Sequence, residues 1–318
     1  MMGILKKIIK VNLLFWFVLG LFGLTHSCKK DAKNKVFTEN PSKPSVMSDS
    51  TNSTPLTQEF KRYWFAGEAE ISSYQLEQAR YGELRQGKAV LVYVTEPFLP
   101  DKQVKAEHSD TSTMTVLKLN ATKTFNTGIY PYSIMQSTFY PLGNNAHAFK
   151  VSCSVQEWCG HVYTQINNRD SLEVTSHSYF ENEADERFKL EKAIVENELW
   201  TKLRIDPNAL PTGALDIIPA LEFNRLRHVP IKAYKAFATL EKQVYTLEYP
   251  ELKRSLSITF NPEFPHDILK WEETIKSGPD TNSTPLTTKA TKLKTIKSPY
   301  WQKNSNKDEV LRDTLQLN

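Results

Sequence analysis

From residue 63 onward, apolar and polar positions alternate along the chain in short runs. Residues 67–78, 88–96, 113–125 and 129–140 are rich in β-branched and aromatic side chains, and polar clusters such as Arg85-Gln86-Gly87-Lys88 separate them. That spacing predicts successive antiparallel strands. The segment 147–168 (HAFKVSCSVQEWCGHVYTQINN) adds a hairpin, Asn167-Asn168-Arg169-Asp170 a turn, and residues 172–180 another strand. In residues 183–203 the period changes. Phe188, Ile194, Val195, Leu199 and Leu203 recur at helical spacing behind an acidic first turn, with Asn182 as a candidate cap, which predicts one long helix. Asp206-Pro207 and Leu210-Pro211-Thr212-Gly213 close it. A second strand set is expected over residues 215–226, 232–240, 244–249 and 255–260. Beyond it a short helix is expected at 265–275, a strand at 288–296 and an Asn-capped helix at 306–315.

The fold class that follows is mainly β, or β-rich α+β. We expect a large antiparallel meander, or an open, curved barrel-like sheet, with the long helix packed on it. The parts are a signal peptide (1–27), a modified cysteine with a disordered tether (28–57), an N-terminal β part (58–182), the helix (183–205) and C-terminal hairpins with a terminal helix (206–318). Residues 58–318 can form a single domain.

Two registers compete within the central hairpin. With Val155-Gln156 as the loop, Phe149 faces Val162, Val151 faces Gly160 and Cys153 faces Trp158. Lys150, Ser152, Cys159 and His161 then lie on the other face, and the two cysteines cannot be bridged. With Val155-Gln156-Glu157 as the loop, Cys153 pairs with Cys159, but Trp158 turns to the polar side. Burial favours the first register and cysteine chemistry the second, so a Cys153–Cys159 disulfide stays open.

The first 28 residues change the picture of where the chain resides. Lys6, Lys7 and Lys10 precede an apolar run over 11–24 that ends in small residues, the layout of a secretory leader. The run Leu24-Thr25-His26-Ser27-Cys28 resembles the lipobox of bacterial lipoproteins, with its aliphatic residue four rather than three positions before the cysteine. That resemblance implies lipidation of Cys28. No Asp follows to retain the protein at the inner membrane, so the expected location is the outer membrane, with the bilayer as a partner through the N-terminal lipid. The net charge is +4, and removing the leader with its three lysines leaves +1. A nearly neutral body offers no electrostatic case for nucleic acid. Export would place Cys153 and Cys159 where a disulfide persists. Residues 29–57 are Lys, Asn, Ser, Thr and Pro, without the apolar content to fold. The heptapeptide TNSTPLT occurs at 51–57 and again at 281–287 and reads as linker chemistry.

Candidate chemistry is sparse. Trp158-Cys159-Gly160-His161 matches the start of the WCGHC redox motif, but Val162 stands where the second cysteine belongs, and a strand rather than a helix is expected there. His147, His161 and His177 lack metal-ligand spacing. A Cys159–His161 nucleophile–base pair would share a face at a separation of about 7 Å, too far for direct proton transfer. No GxSxG, P-loop, GxGxxG or HExxH is present, and no cofactor is implied. Trp158 and His161, with Tyr130 and Tyr132, are candidate residues of a binding cleft for a small ligand or an envelope protein.

The stretches at 63–91 (YWFAGEAEISSYQLEQARYGELRQGKAVL), 119–141 (LNATKTFNTGIYPYSIMQSTFYP), 150–169 and 177–204 resemble a group of Bacteroidota lipoproteins of unknown function, some of them labelled septum formation inhibitor Maf. The Maf label would imply a nucleotide pyrophosphatase with an SxSPRR-type motif. This chain has no such motif, so no catalytic residue carries over. The functional expectation is a lipid-anchored, ligand- or partner-binding β-protein. An envelope hydrolase, a Maf-type pyrophosphatase and a lipid or lipoprotein carrier are the alternatives.

Overall fold

The computed structural model describes residues 56–143, 147–276 and 284–318. The leader, Cys28, nearly all of the segment 28–57 and part of the second TNSTPLT copy lie outside the described residues.

Sixteen strands form one mostly antiparallel sheet. In chain order they are β1 (Ala69–Arg80), β2 (Glu83–Leu99), β3 (Val104–Lys105), β4 (Met114–Thr127), β5 (Tyr130–Pro141), β6 (Lys150–Glu157), β7 (Gly160–Asn168), β8 (Leu172–Ser178), β9 (Asp185–Leu190), β10 (Ile194–Val195), β11 (Gly213–Ile218), β12 (Tyr234–Glu241), β13 (Val244–Tyr249), β14 (Arg254–Phe260), β15 (Ile268–Lys276) and β16 (Pro285–Ser298). The described helices are short: α1 (Gln58–Trp64), α2 (Glu196–Ile205), α3 (Leu221–Arg227) and α4 (Val310–Thr314). The described residues form one compact unit.

The strand order runs β10 to β16, then β1, β2 and β4 to β9, with β3 a side branch on β2. The two edge strands of this path, β9 and β10, are therefore consecutive in sequence. A flat sheet of this order would hold its edges about 65 Å apart, whereas the link Glu191-Lys192-Ala193 spans at most about 14 Å. The sheet must curl back on itself, and register shifts in β1 at Ser73/Tyr74 and in β14 at Thr259/Phe260 supply local bends. No ladder joins β9 to β10, so the curl leaves a seam.

Alternation sets what faces inward. Leu256 and Ile258 of β14, Val151, Cys153 and Val155 of β6, and Leu172 and Val174 of β8 are buried in one core cluster. Their neighbours Ser255, Ser257 and Thr259, and Glu173, Thr175 and His177, face out. Outward Lys270 and Glu272 on β15 complete a polar exterior. A membrane-spanning barrel shows the reverse pattern, and each such lysine would cost about 2–4 kcal/mol at mid-bilayer. One outer stripe is apolar. Ile71 and Val94 there are covered by Leu315, which follows α4.

Helix α2 lies on the concave side. Arg204, near its C-terminus, donates from Nη1 and Nη2 to the two carboxylate oxygens of Glu70 on β1, both at 2.7 Å. Glu196 at its N-terminus accepts from Arg254 of β14 at 2.5 and 2.7 Å. Both charges suit the helix dipole. Between them, Asn197 reaches Gln136 of β5 at 2.8 Å, and the Trp200 carbonyl accepts from Tyr93 of β2 at 3.1 Å. The wall thus touches the helix from several directions.

Several expectations need correction. The long helix over 183–205 does not form: Asp185–Leu190 is strand β9, and helix begins at Glu196. The reason is Leu190, which together with Phe188 and Glu186 makes a period of two that the helical template passes over. The expected strand 215–226 ends at Ile218, and Leu221–Arg227 is helix. The expected helix at 265–275 is strand β15, because Trp271, Glu273 and Ile275 alternate with outward Lys270, Glu272 and Thr274. The last element is a 3-10 turn over Asn306–Glu309, capped by Ser305 rather than Asn306, leading into α4.

Neither proposed register of the central hairpin occurs. Glu157 pairs with Gly160, Val155 with Val162 and Cys153 with Thr164, so Trp158-Cys159 is the turn. The inward parity of Val151, Cys153 and Val162 matches the burial-driven register. Moving the turn outward also buries Val155, which pairs with Ile134 on its other side. Trp158 is expelled to the tip and is 69% exposed. Cys153 is a buried free thiol and Cys159 an exposed one, and the two are not bridged.

Candidate functional site

The seam is where the architecture leaves room. A cleft of ≈ 680 Å³ opens between the inner faces of β7, β8 and β9 on one side and α3 with its following loop on the other. That volume lies within the range of small-molecule sites. Val162, Phe188, Leu190, Leu221 and Ile231 make its apolar wall. The sequence produces this wall in two ways: strand alternation points Phe188 and Leu190 inward, and α3 turns Leu221, Asn224 and Arg225 onto one face.

Two polar side chains interrupt that wall. Asn224 is 3% exposed, and its Oδ1 accepts no hydrogen bond, while its Nδ2 donates to the Pro230 carbonyl at 3.1 Å. The Arg225 side chain is 9% exposed, and its Nε has no partner. A buried polar atom left unpaired costs about 1–3 kcal/mol, and here two consecutive residues of the cleft lining, Asn224 and Arg225, each carry one. At the mouth, Arg225 Nη1 donates to Glu183 Oε1 at 3.3 Å, and His228 Nδ1 meets the same oxygen at 2.6 Å. His228 ends α3 in the left-handed region at φ 53. The Arg225 guanidinium also stacks 4.1 Å from the Phe180 ring centroid.

A second internal space is lined by Gln78, Arg80, Lys123, Glu222, Arg254 and Glu273, and it measures ≈ 70 Å³. Gln78 Oε1 and Arg80 Nε are unpartnered there, but the space holds only about two waters. Ion pairs dominate its lining: Lys123 Nζ donates to Glu222 at 2.8 Å, and Arg254 Nε to Glu273 at 2.6 Å. Burial pushes the Glu273 carboxyl up, but Arg254 and Lys123 outweigh it and hold the group below the ordinary value. Paired charges thus make up most of the polar lining of this chamber.

Of the residues singled out from sequence, three come together. The Tyr130 ring lies 6.0 Å from Tyr132 and 6.4 Å from Trp158, all at the rim where β4, β5, β6 and β7 turn. Tyr132 is buried and receives a hydrogen bond from Arg80 Nη2 at 3.1 Å. His161 is not with them: it sits on the outer face of β7 opposite Gln156. The three histidines do not converge. His147 pairs with Glu198 at 2.8 Å and His177 with Asp185 at 3.2 Å. Among the described residues, no group of three or more His, Cys, Asp and Glu side chains is placed to hold a metal ion. The Cys159 thiol is pushed up by its hydrogen bond to Glu157, and that of Cys153 by burial. Both shifts run opposite to what activates a redox cysteine. Sequence reasoning missed Asn224 and Arg225, whose meaning depends on what they face across the seam. The available signal was the 186, 188, 190 alternation.

No protein-family model and no curated protein matches the chain. Among solved structures it is distantly similar to a beta-barrel-like protein of domain of unknown function DUF1849 from Brucella abortus. That match has a TM-score of 0.41 and 9% identity, over 72% of this chain and 96% of the other. It is also distantly similar to a porin-like protein from Bacteroides uniformis, with a TM-score of 0.21 and 8% identity over 70% of this chain and 95% of the other. Neither likeness assigns a family or an activity.

Proposed function

We propose that this chain is a lipid-anchored cell-envelope protein that binds a small amphipathic molecule in the seam cleft. The observation that carries the reading is the cleft itself: apolar walls of ligand-sized volume with Asn224 Oδ1 and Arg225 Nε unpartnered at their inner edge. An aliphatic portion would lie against Phe188 and Leu190. A polar end that both donates and accepts, such as a hydroxyl or a primary amide, would satisfy Asn224 and Arg225. The leader, the lipobox-like run before Cys28 and the resemblance to Bacteroidota lipoproteins support the envelope location. A carrier of lipid is a special case of the same reading.

Binding is tested by native mass spectrometry of the purified full chain and by displacement of a fluorescent fatty-acid analogue. Leu190→Trp, which fills the cleft from an edge strand, is expected to abolish analogue binding without changing the unfolding midpoint by more than a few degrees. Binding that persists unchanged in Leu190→Trp would remove the cleft from consideration. Anchoring is tested separately: Cys28→Ala is expected to release the chain from the membrane fraction.

A further inference from the structure

Four successive hairpins of the meander turn at the same end of the sheet, and each carries a large exposed apolar residue at its tip. Tyr81 in the β1–β2 turn is 58% exposed, Ile129 in the β4–β5 turn 84%, Trp158 in the β6–β7 turn 69%, and Tyr179 in the β8–β9 turn 70%. The tips are joined laterally. The Tyr81 hydroxyl meets that of Tyr132 at 2.9 Å, and the ring contacts from Tyr132 through Tyr130 to Trp158 continue the row. Tyr179 lies over Gly160, where an added Cβ would come within 2.8 Å of the ring. Tyr179 also contacts Phe180, with ring centroids 5.6 Å apart, and Phe180 stacks on Arg225 at the cleft mouth. At the opposite end the β7–β8 turn exposes Arg169 and Asp170; Phe65, Val104, Tyr300 and Trp301 are exposed there too, but they lie beside the strand ends and not on a row of hairpin tips.

We propose that this rim docks onto the surface of a lipid bilayer, with Tyr81, Ile129, Trp158 and Tyr179 seated at headgroup level. Neighbouring tips are two strands, or about 10 Å, apart. They form a row about one side chain wide, unlike the broad packed core of a protein interface. Trp and Tyr are the residue types that settle at the membrane–water boundary. Directly below the tips the outer face turns polar, with Gln156 and His161 exposed, so penetration stops within about 5–10 Å. Glu83, Glu157 and Glu181 flank the tips, and Arg85 is paired to Glu83 at 2.5 Å. The rim is therefore matched to a zwitterionic rather than an anionic surface. This second membrane contact is distinct from the N-terminal lipid and does not depend on what the cleft holds.

Cys159 provides the test. In the full chain carrying Cys28→Ser, an environment-sensitive maleimide dye reacts at the exposed Cys159 while Cys153 stays buried. With phosphatidylcholine vesicles containing doxyl-labelled lipid, the dye at position 159 is expected to be quenched at least threefold more than the same dye on Asp170→Cys in a Cys159→Ser background. Any attachment through the N-terminus is common to both proteins, so the difference reports which end faces lipid. Replacing Tyr81, Ile129, Trp158 and Tyr179 together by Ser is expected to bring quenching at 159 down to the level at 170, with an unchanged circular dichroism spectrum. Should that variant misfold, Ile129→Ser and Trp158→Ser singly are each expected to halve it. Equal quenching at both positions, or quenching at 159 untouched by the substitutions, overturns the proposal. Leu190→Trp, which disables the cleft, is expected to leave docking intact.

Discussion

Two arginines, Arg204 buried and Arg225 nearly so, are treated in opposite ways. Arg204, on α2, is saturated. It makes a bidentate pair with Glu70, donates from Nε to the Pro265 carbonyl at 2.9 Å and lies 4.6 Å from the Tyr93 ring centroid. Tyr63 adds a hydrogen bond to the same carboxylate at 2.5 Å. Arg225, on α3, lines the cleft beside Asn224 and keeps one donor, its Nε, unpaired. Burial of charge therefore does not by itself mark a site. In the first case geometry gives every guanidinium nitrogen a partner and fixes a helix to the wall. In the second, geometry leaves one donor unspent in the wall of the cleft.

The sharpest way to break the contrast is to remove Arg204. Arg204→Met leaves Glu70 buried and uncompensated and is expected to destabilise the chain by about 3–5 kcal/mol, read as a lowered urea midpoint. A loss below about 1 kcal/mol would show that the pair is not the clamp described above.

Next comes acid. Burial pushes the Glu70 carboxyl up, but the Arg204 guanidinium overrides this and holds it below the ordinary value of 4.5; Glu273 is lowered in the same manner. The unfolded chain then binds more protons than the folded one in this range. The resulting stability is fully present above 4.5 and is lost as pH falls through the lowered folded values. Thermal melts from pH 6 to 3 are expected to show a steep fall below about pH 4.5, shallower in Arg204→Met.

Arg225→Met tests the other side of the comparison. Its partner Glu183 is 27% exposed, so water can take over, and the expected change in stability is under about 1 kcal/mol. Analogue binding in the cleft, in contrast, is expected to weaken about tenfold, the equivalent of one charge-assisted hydrogen bond. A large stability loss with binding intact would reverse the assignment of roles.

The smallest effect is expected at His147. The hydrogen bond that its ring donates to Glu198 outweighs burial and raises its pKa. The folded form therefore holds its proton more tightly, and the stability gained is complete below about pH 6.5 and lost as pH rises through the raised folded value. A slight drop in melting temperature from pH 6 to 8, absent in His147→Gln, would confirm the sign.

How much of this was legible beforehand differs by element. Val244–Tyr249 was placed to the residue, because a strand with one wet face writes its own period of two. The inward parity of Val151, Cys153 and Val162 was also readable, since alternation survives a shift of the turn by whole pairs. The turn position was not, because burying Val155 depends on Ile134 of a neighbouring strand. Residues 185–190 misled for a related reason: Phe188 and Leu190 fit a strand, but Phe188, Ile194 and Val195 also fit a helix, and sheet pairing with β8 decided between them.

The sequence alone determined the β class, the inside and outside of most strands and the lack of any familiar catalytic motif, because these depend on local pattern. Tertiary structure decided the rest. The curl that makes β9 and β10 neighbours, the seam beside them and the four hairpin tips sharing one rim all depend on contacts between residues far apart in the chain. Periodicity says which way a side chain points, but the path of the sheet decides what it points at.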